Sequence, residues 1–273
     1  MSDTTRVLFV TQAMQPYLPE TRITKICREL PQAVQEKGRE IRNFMPRYGN
    51  INERRHQLHE VIRLSGMNLV VDDHDHPLII KVASIQPAKM QVYFIDNEEY
   101  FKRKSALADL DGNAHEDNDE RMIFFCKGVI ETVKKLGWAP DIIHCHGWMS
   151  SLLPLFIKKV YNNEPMFANS KLVFSVYNDG LEQPLNTKLF EKLQYENIDA
   201  SEYDSLNKAS ILSKPSFIQS ENSANRHIYR SGEKSVMKQD RQYGCNCGPS
   251  KNFDKKYCSR VEQWLNILFP SEK

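Results

Sequence analysis

The sequence has no apolar run approaching the ~20 residues that a membrane span requires. Its opening residues, MSDTTRVLFVTQAM, lack the long apolar stretch of a secretory leader, so the cytoplasm is the expected location and no membrane partner is expected. Net charge is scarce as well, +2 over 273 residues, and no basic stripe stands out, which argues against nucleic acid as a partner. Two catalytic signatures are missing. No Gly-x-Gly-x-x-Gly follows a strand-like run, against a dinucleotide oxidoreductase. No Gly-x-Ser-x-Gly elbow is present either, so Ser150 and Ser151, though close to His146, do not read as a hydrolase nucleophile. No internal repeat is visible.

Cysteine is present but does not form a framework. Cys27, Cys126 and Cys145 lie in apolar segments and read as reduced core or loop residues. Cys245, Cys247 and Cys258 cluster near the end, where Cys-x-Cys and a third cysteine after a ten-residue gap match no common zinc spacing. No metal and no cofactor is expected. What remains is the composition of a globular protein, 40% hydrophobic and 26% charged, long enough to bury a core as one large α/β domain or two small ones.

The most informative stretch runs from Pro140 to Leu155. A short apolar run, Ile142-Ile143, gives way to His144-Cys145-His146-Gly147-Trp148, and an apolar pattern resumes at Leu152, Leu153 and Leu155. That order reads as a buried parallel strand, its carboxyl-end loop and a helix. Ligands of open α/β sheets sit beyond the carboxyl ends of strands, so this loop is the leading site candidate. His144 and His146 are two apart and share a face if the strand continues through them. Cys145 then points the other way, against a zinc site built from all three.

Other elements follow in order. Arg6–Thr11 reads as a central strand, and Ile23, Ile26, Cys27, Leu30 and Val34 recur at helical spacing up to Lys37-Gly38. Residues 39–46 give a second strand. Between Leu58 and Phe94 the pattern shortens to strands separated by turn signals, which suggests a small antiparallel insertion; Asp72–Pro77 reads as a solvated hairpin turn rather than a metal cluster. Residues 104–120 are polar and acidic, a loop, followed by a helix over 120–136 and strands at 171–178 and 216–220, with a helix at 206–212 between them. Strands alternating with helices imply a doubly wound, mainly parallel, Rossmann-like sheet with right-handed crossovers. The expected division is a domain over 1–230 and a loosely attached tail over 231–273.

The motifs Met45-Pro46-Arg47-Tyr48-Gly49, Val92–Asp96, Pro140–Trp148 and Val173–Asn178, in this order, resemble the N-terminal half of bacterial glycogen and starch synthases. The resemblance covers about residues 5–228. It implies one half of a GT-B glycosyltransferase, a retaining glucosyltransferase that moves glucose from ADP-glucose to an α-1,4-glucan, with this half holding the acceptor. It implies substrate contacts at Arg47, Tyr100, His144, His146, Trp148 and Asn178. The sequence departs from the family at three places: Pro19 falls where a Lys-x-Gly-Gly-Leu loop is expected, Gly147 where an aspartate is, and Tyr177 where a histidine is. Glycines matter in such a loop because backbone amides approach a ligand closely only where no Cβ intervenes. The family's second domain carries the nucleotide-sugar contacts, and the 273 residues leave no room for it. The expectation is therefore an acceptor-side domain that either works with a separate nucleotide-sugar-binding domain or has become a non-catalytic glucan-binding or regulatory domain.

For each candidate the residues alone also allow a structural role: a core histidine at 144 or 146, tryptophan packing at 148, and an Arg47 that bonds loop carbonyls.

Overall fold

The structure, a computed structural model, describes residues 4–106, 108–109, 111–177 and 188–198, together with the backbone of two strands at 226–231 and 234–236. The proposed strand at 216–220, the helix at 206–212, the three clustered cysteines and Asn178 lie outside the described residues.

Strand β1 (Arg6–Thr11) is buried along nearly its whole length, as a run of Val, Leu, Phe and Val must be when both faces are covered. Helix α1 (Arg22–Glu36) starts at Thr21, whose side chain accepts from the Thr24 amide while Thr24 Oγ1 accepts from the Thr21 amide. It buries Ile23, Ile26, Cys27, Leu30 and Val34, the set its spacing predicts. Strand β2 (Glu40–Pro46) pairs parallel to β1, and β6 (Met90–Asp96) pairs parallel to β2. Helix α4 (Asn118–Lys135) then leads back to β7 (Ile142–His146), which pairs parallel to the other side of β1, and β8 (Lys171–Val176) continues parallel to β7.

The antiparallel excursion is real but differs from its reading. Strands β4 (Met67–Val71) and β5 (His74–Ile85) form a hairpin, and β5 pairs antiparallel to β6 within the main sheet, extending it rather than standing apart. The turn is only Asp72-Asp73, both at positive φ (48° and 63°), the geometry that two-residue hairpins favour. His74, Asp75, His76 and Pro77 belong to β5. The expected strand near Val61–Leu64 shrinks to β3 (His59–Glu60), and Ile62 is exposed. Beyond β8, β9 (Arg226–Ser231) and β10 (Lys234–Val236) add antiparallel.

Across the parallel strands the order is β8-β7-β1-β2-β6. The chain steps outward from β1 through β2 to β6, then returns to the opposite flank with β7. The direction of winding thus reverses between β1 and β7, which makes the carboxyl ends of those two strands the switch point where α/β sheets open a crevice.

Candidate functional site

The switch point is lined by the exits of β1, β7 and β8. His144 and His146 do share a face, their rings 4.0 Å apart between centroids and tilted by 30°. Phe9 of β1 packs beside both, at 5.7 and 6.2 Å. His144 Nε2 lies 2.8 Å from Ser175 Oγ, and His146 Nδ1 lies 2.7 Å from the Tyr177 hydroxyl. Both histidines are buried.

Cys145 points away, into the layer containing Cys126, and burial pushes both thiols well above the ordinary cysteine range. All three described cysteines are free and buried, and no group of metal-ligating side chains occurs among the described residues.

Gly147 takes φ +80° and opens a short 3-10 turn over Trp148–Ser150. Trp148 is largely buried, and its indole N–H has no hydrogen-bond partner among the described residues. A buried donor without an acceptor is costly unless a ligand or water meets it.

The β1 exit is packed down. Met14 is fully buried, and Tyr17 meets Phe94 and His56 edge-on at 4.8 and 5.1 Å. The Pro19 carbonyl accepts from Thr24 Oγ1. This loop therefore closes through side-chain packing, where glycines would have left its amides open.

The remaining candidates sit along other strand ends. Arg47 bonds Asp96 Oδ2 at 3.1 Å and Glu53 at 2.8 Å, and Lys81 bonds the same two carboxylates at 3.0 and 2.7 Å. Two cations facing two anions form a closed square that ties the exit of β2 to β5 and β6. Tyr100 of α3 (Glu98–Phe101) is buried, with its hydroxyl 2.9 Å from His76 Nε2 and 3.1 Å from Glu120. Burial, followed by the Glu120 carboxylate, pushes its phenol above the usual tyrosine value. Among the described residues no hydrogen bond or ring contact joins Tyr100 or Arg47 to the histidine pair. The structure thus gathers His144, His146, Ser175 and Tyr177 at one place, starts the turn carrying Trp148 directly after them, and sets Tyr100 and Arg47 in polar networks elsewhere.

Sequence reasoning missed His76, Ser175 and Gln12. His76 keeps the parity of Leu78, Ile80 and Val82 along β5, a period-2 signal that marks it as inward-facing. Ser175 is the register partner of His146. Gln12 carries no local signal.

A mainly parallel, Rossmann-like sheet with a buried histidine pair at its switch point is the architecture of one half of the GT-B fold. Residues 6–220 match the family described as the starch synthase catalytic domain, and the chain belongs to that family. It is 38% identical over 208 residues to the glycogen synthase of Chlorobium luteolum, covering 76% of this chain and 42% of that protein. It is 40% identical over 194 residues to the glycogen synthase of Chlorobium phaeobacteroides, covering 71% and 40%. The chain therefore spans about two fifths of the length of the curated relatives it matches. The catalytic domain of starch synthase IV from Arabidopsis thaliana, solved with ADP and acarbose, superposes with a TM-score of 0.55 at 18% identity, over 64% of this chain and 36% of that one, a likeness of fold. No helix among the described residues is long and apolar enough to cross a membrane.

Proposed function

We propose that this domain holds an α-glucan chain at the β1/β7 crevice, as the acceptor side of a glucosyl transfer from ADP-glucose, and that by itself it binds without transferring. The observation that carries this reading is the chemistry of the rim. His144, His146, Tyr177 and the Trp148 indole offer hydrogen-bonding groups and ring faces, which suit sugar hydroxyls and the apolar faces of pyranose rings.

Among the described residues the exits of β1, β7 and β8 carry no cation: residues 12–21, 142–157 and 172–177 contain no lysine or arginine. Arg47, on a neighbouring strand exit, is already neutralised by Asp96 and Glu53. A departing nucleoside diphosphate needs positive charge where its own charge develops, so transfer would require a second, nucleotide-sugar-binding domain to supply it.

The Gly147 and Tyr177 departures favour the non-catalytic form of the reading. Tyr177 directs its hydroxyl at His146 Nδ1, so that this nitrogen bonds within the protein and not to a reacting sugar. The test is incubation of the purified protein with radiolabelled ADP-glucose and glycogen, alongside native electrophoresis in glycogen-containing gels. Retardation by glycogen without incorporation of label is the expected result. Incorporation that disappears in Tyr177→Phe would overturn the binding-only reading, and the absence of any retardation would overturn the glucan reading.

A further inference from the structure

The turn after β7 begins at a glycine that has no side chain to cap it, yet its second amide is not left open. Gln12, the first residue beyond β1, is almost fully buried. Its backbone N–H donates to the His146 carbonyl at 3.2 Å, and its side-chain Oε1 accepts from the Met149 N–H at 3.3 Å. Met149 is the second residue of the turn, the position whose amide an N-cap side chain ordinarily satisfies. The amide's orientation is fixed by this contact, because a backbone N–H can be met only by the oxygen end. The same side chain fills the volume beside Gly147. A Cβ at 147 would lie 2.8 Å from Gln12 Cγ and closer still to Cδ and Oε1.

We propose that Gln12 is the positioning residue of this site: it caps the Trp148–Ser150 turn from across the switch point and so fixes His146 and Trp148 relative to β1. Gly147 is the other half of the device, because only a residue without Cβ leaves room for the Gln12 amide and adopts φ +80° without strain. The cap is neutral, so the turn is held without placing a carboxylate in the crevice. That Gln12 matters for a ligand rests on the glucan reading above; that it caps the turn does not.

The test has two arms, so that the two ideas fail separately. In the first, Gly147→Ala is introduced into the wild-type protein and into Gln12→Ala, and melting temperatures are compared. Backbone strain at 147 is common to both backgrounds, whereas the collision with Gln12 exists only in the first. The Gly147→Ala loss is therefore smaller in the Gln12→Ala background. Equal losses would overturn the proposed coupling.

In the second arm, retention on glycogen is measured for Gln12→Met and Gln12→Glu. Methionine keeps the length and removes the acceptor, and retention weakens by about threefold or more. Glutamate keeps an acceptor oxygen and restores retention. Retention unchanged in Gln12→Met would reduce Gln12 to a packing residue, and loss in both variants to the same degree would show that the acceptor oxygen is not what positions the turn; either result rejects the positioning role. If the wild-type protein is not retained at all, the glucan reading fails, and the first arm still decides the cap.

Discussion

At the residue scale, the crevice depends on a few buried polar pairs, and each yields a measurable expectation. Tyr177→Phe removes the hydroxyl that pairs with His146 Nδ1 at 2.7 Å inside the protein. The cost expected from chemical denaturation is about 1–3 kcal/mol, the usual penalty for leaving a buried polar group unmet; an unchanged midpoint would show that the pair contributes nothing. Gly147→Asp, the change that would bring the sequence back toward the family pattern, is expected to destabilise by about 1–3 kcal/mol through its left-handed backbone alone, and further through collision with Gln12. It is not expected to create transferase activity. The histidine pair itself was legible from spacing, since residues two apart on a strand must share a face. Gln12 was not, because its capping partner lies 137 residues away along the chain and nothing local distinguishes it.

At the element scale, polar clamps add to apolar burial in fastening segments to one another. Helix α6 (Leu189–Gln194) is fastened to the start of α4 by Lys192, which lies 2.8 Å from Asp119 and 2.6 Å from Glu120. Lys192→Met leaves the fully buried Asp119 carboxylate without its cation, and a loss of about 3–5 kcal/mol is expected from denaturant melts. A change of less than 1 kcal/mol would contradict this.

The loop over 103–117 carries a pH signature. Burial, aided by the nearby Arg121 charge, holds His115 below the ordinary histidine range. A histidine kept neutral in the fold contributes stability that is fully present above its unfolded value of about 6.5 and is lost as pH falls through its lower folded value. Amide exchange in this loop, corrected for its intrinsic pH dependence, should therefore be faster at acidic pH than at neutral pH; equal protection would contradict it.

The parallel strands and α1 were readable because burial on both faces or on one helical stripe leaves an unbroken apolar run or a 3.6-residue period. Strand β5 was not readable at its start. His74-Asp75-His76-Pro77 has the composition of a turn, and only pairing with β4 and the inward contact of His76 with Tyr100 make it strand.

At the scale of the whole molecule, strand order is the feature from which function follows. Five parallel strands wound outward in both directions from β1 set the family's motifs at successive strand exits, and the motifs at the ends of β7 and β8 meet at the switch point. Fold and family were legible in the sequence since those exits recur in a fixed order. The contents of the crevice were legible only in part: Tyr100 and Arg47 also sit at strand exits, yet the fold engages them in networks with His76, Glu120, Asp96 and Glu53. Exit position alone does not tell which side chain turns toward the switch point. The central claim is that the proposed glucan site lies among the hydrogen-bonding groups at the ends of β1, β7 and β8. Calorimetric titration of the protein with maltoheptaose tests it most directly: saturable binding that is lost in His146→Ala, in a variant still folded by circular dichroism, is the predicted result, and binding unchanged by that substitution, or no binding by the wild-type protein, would contradict it.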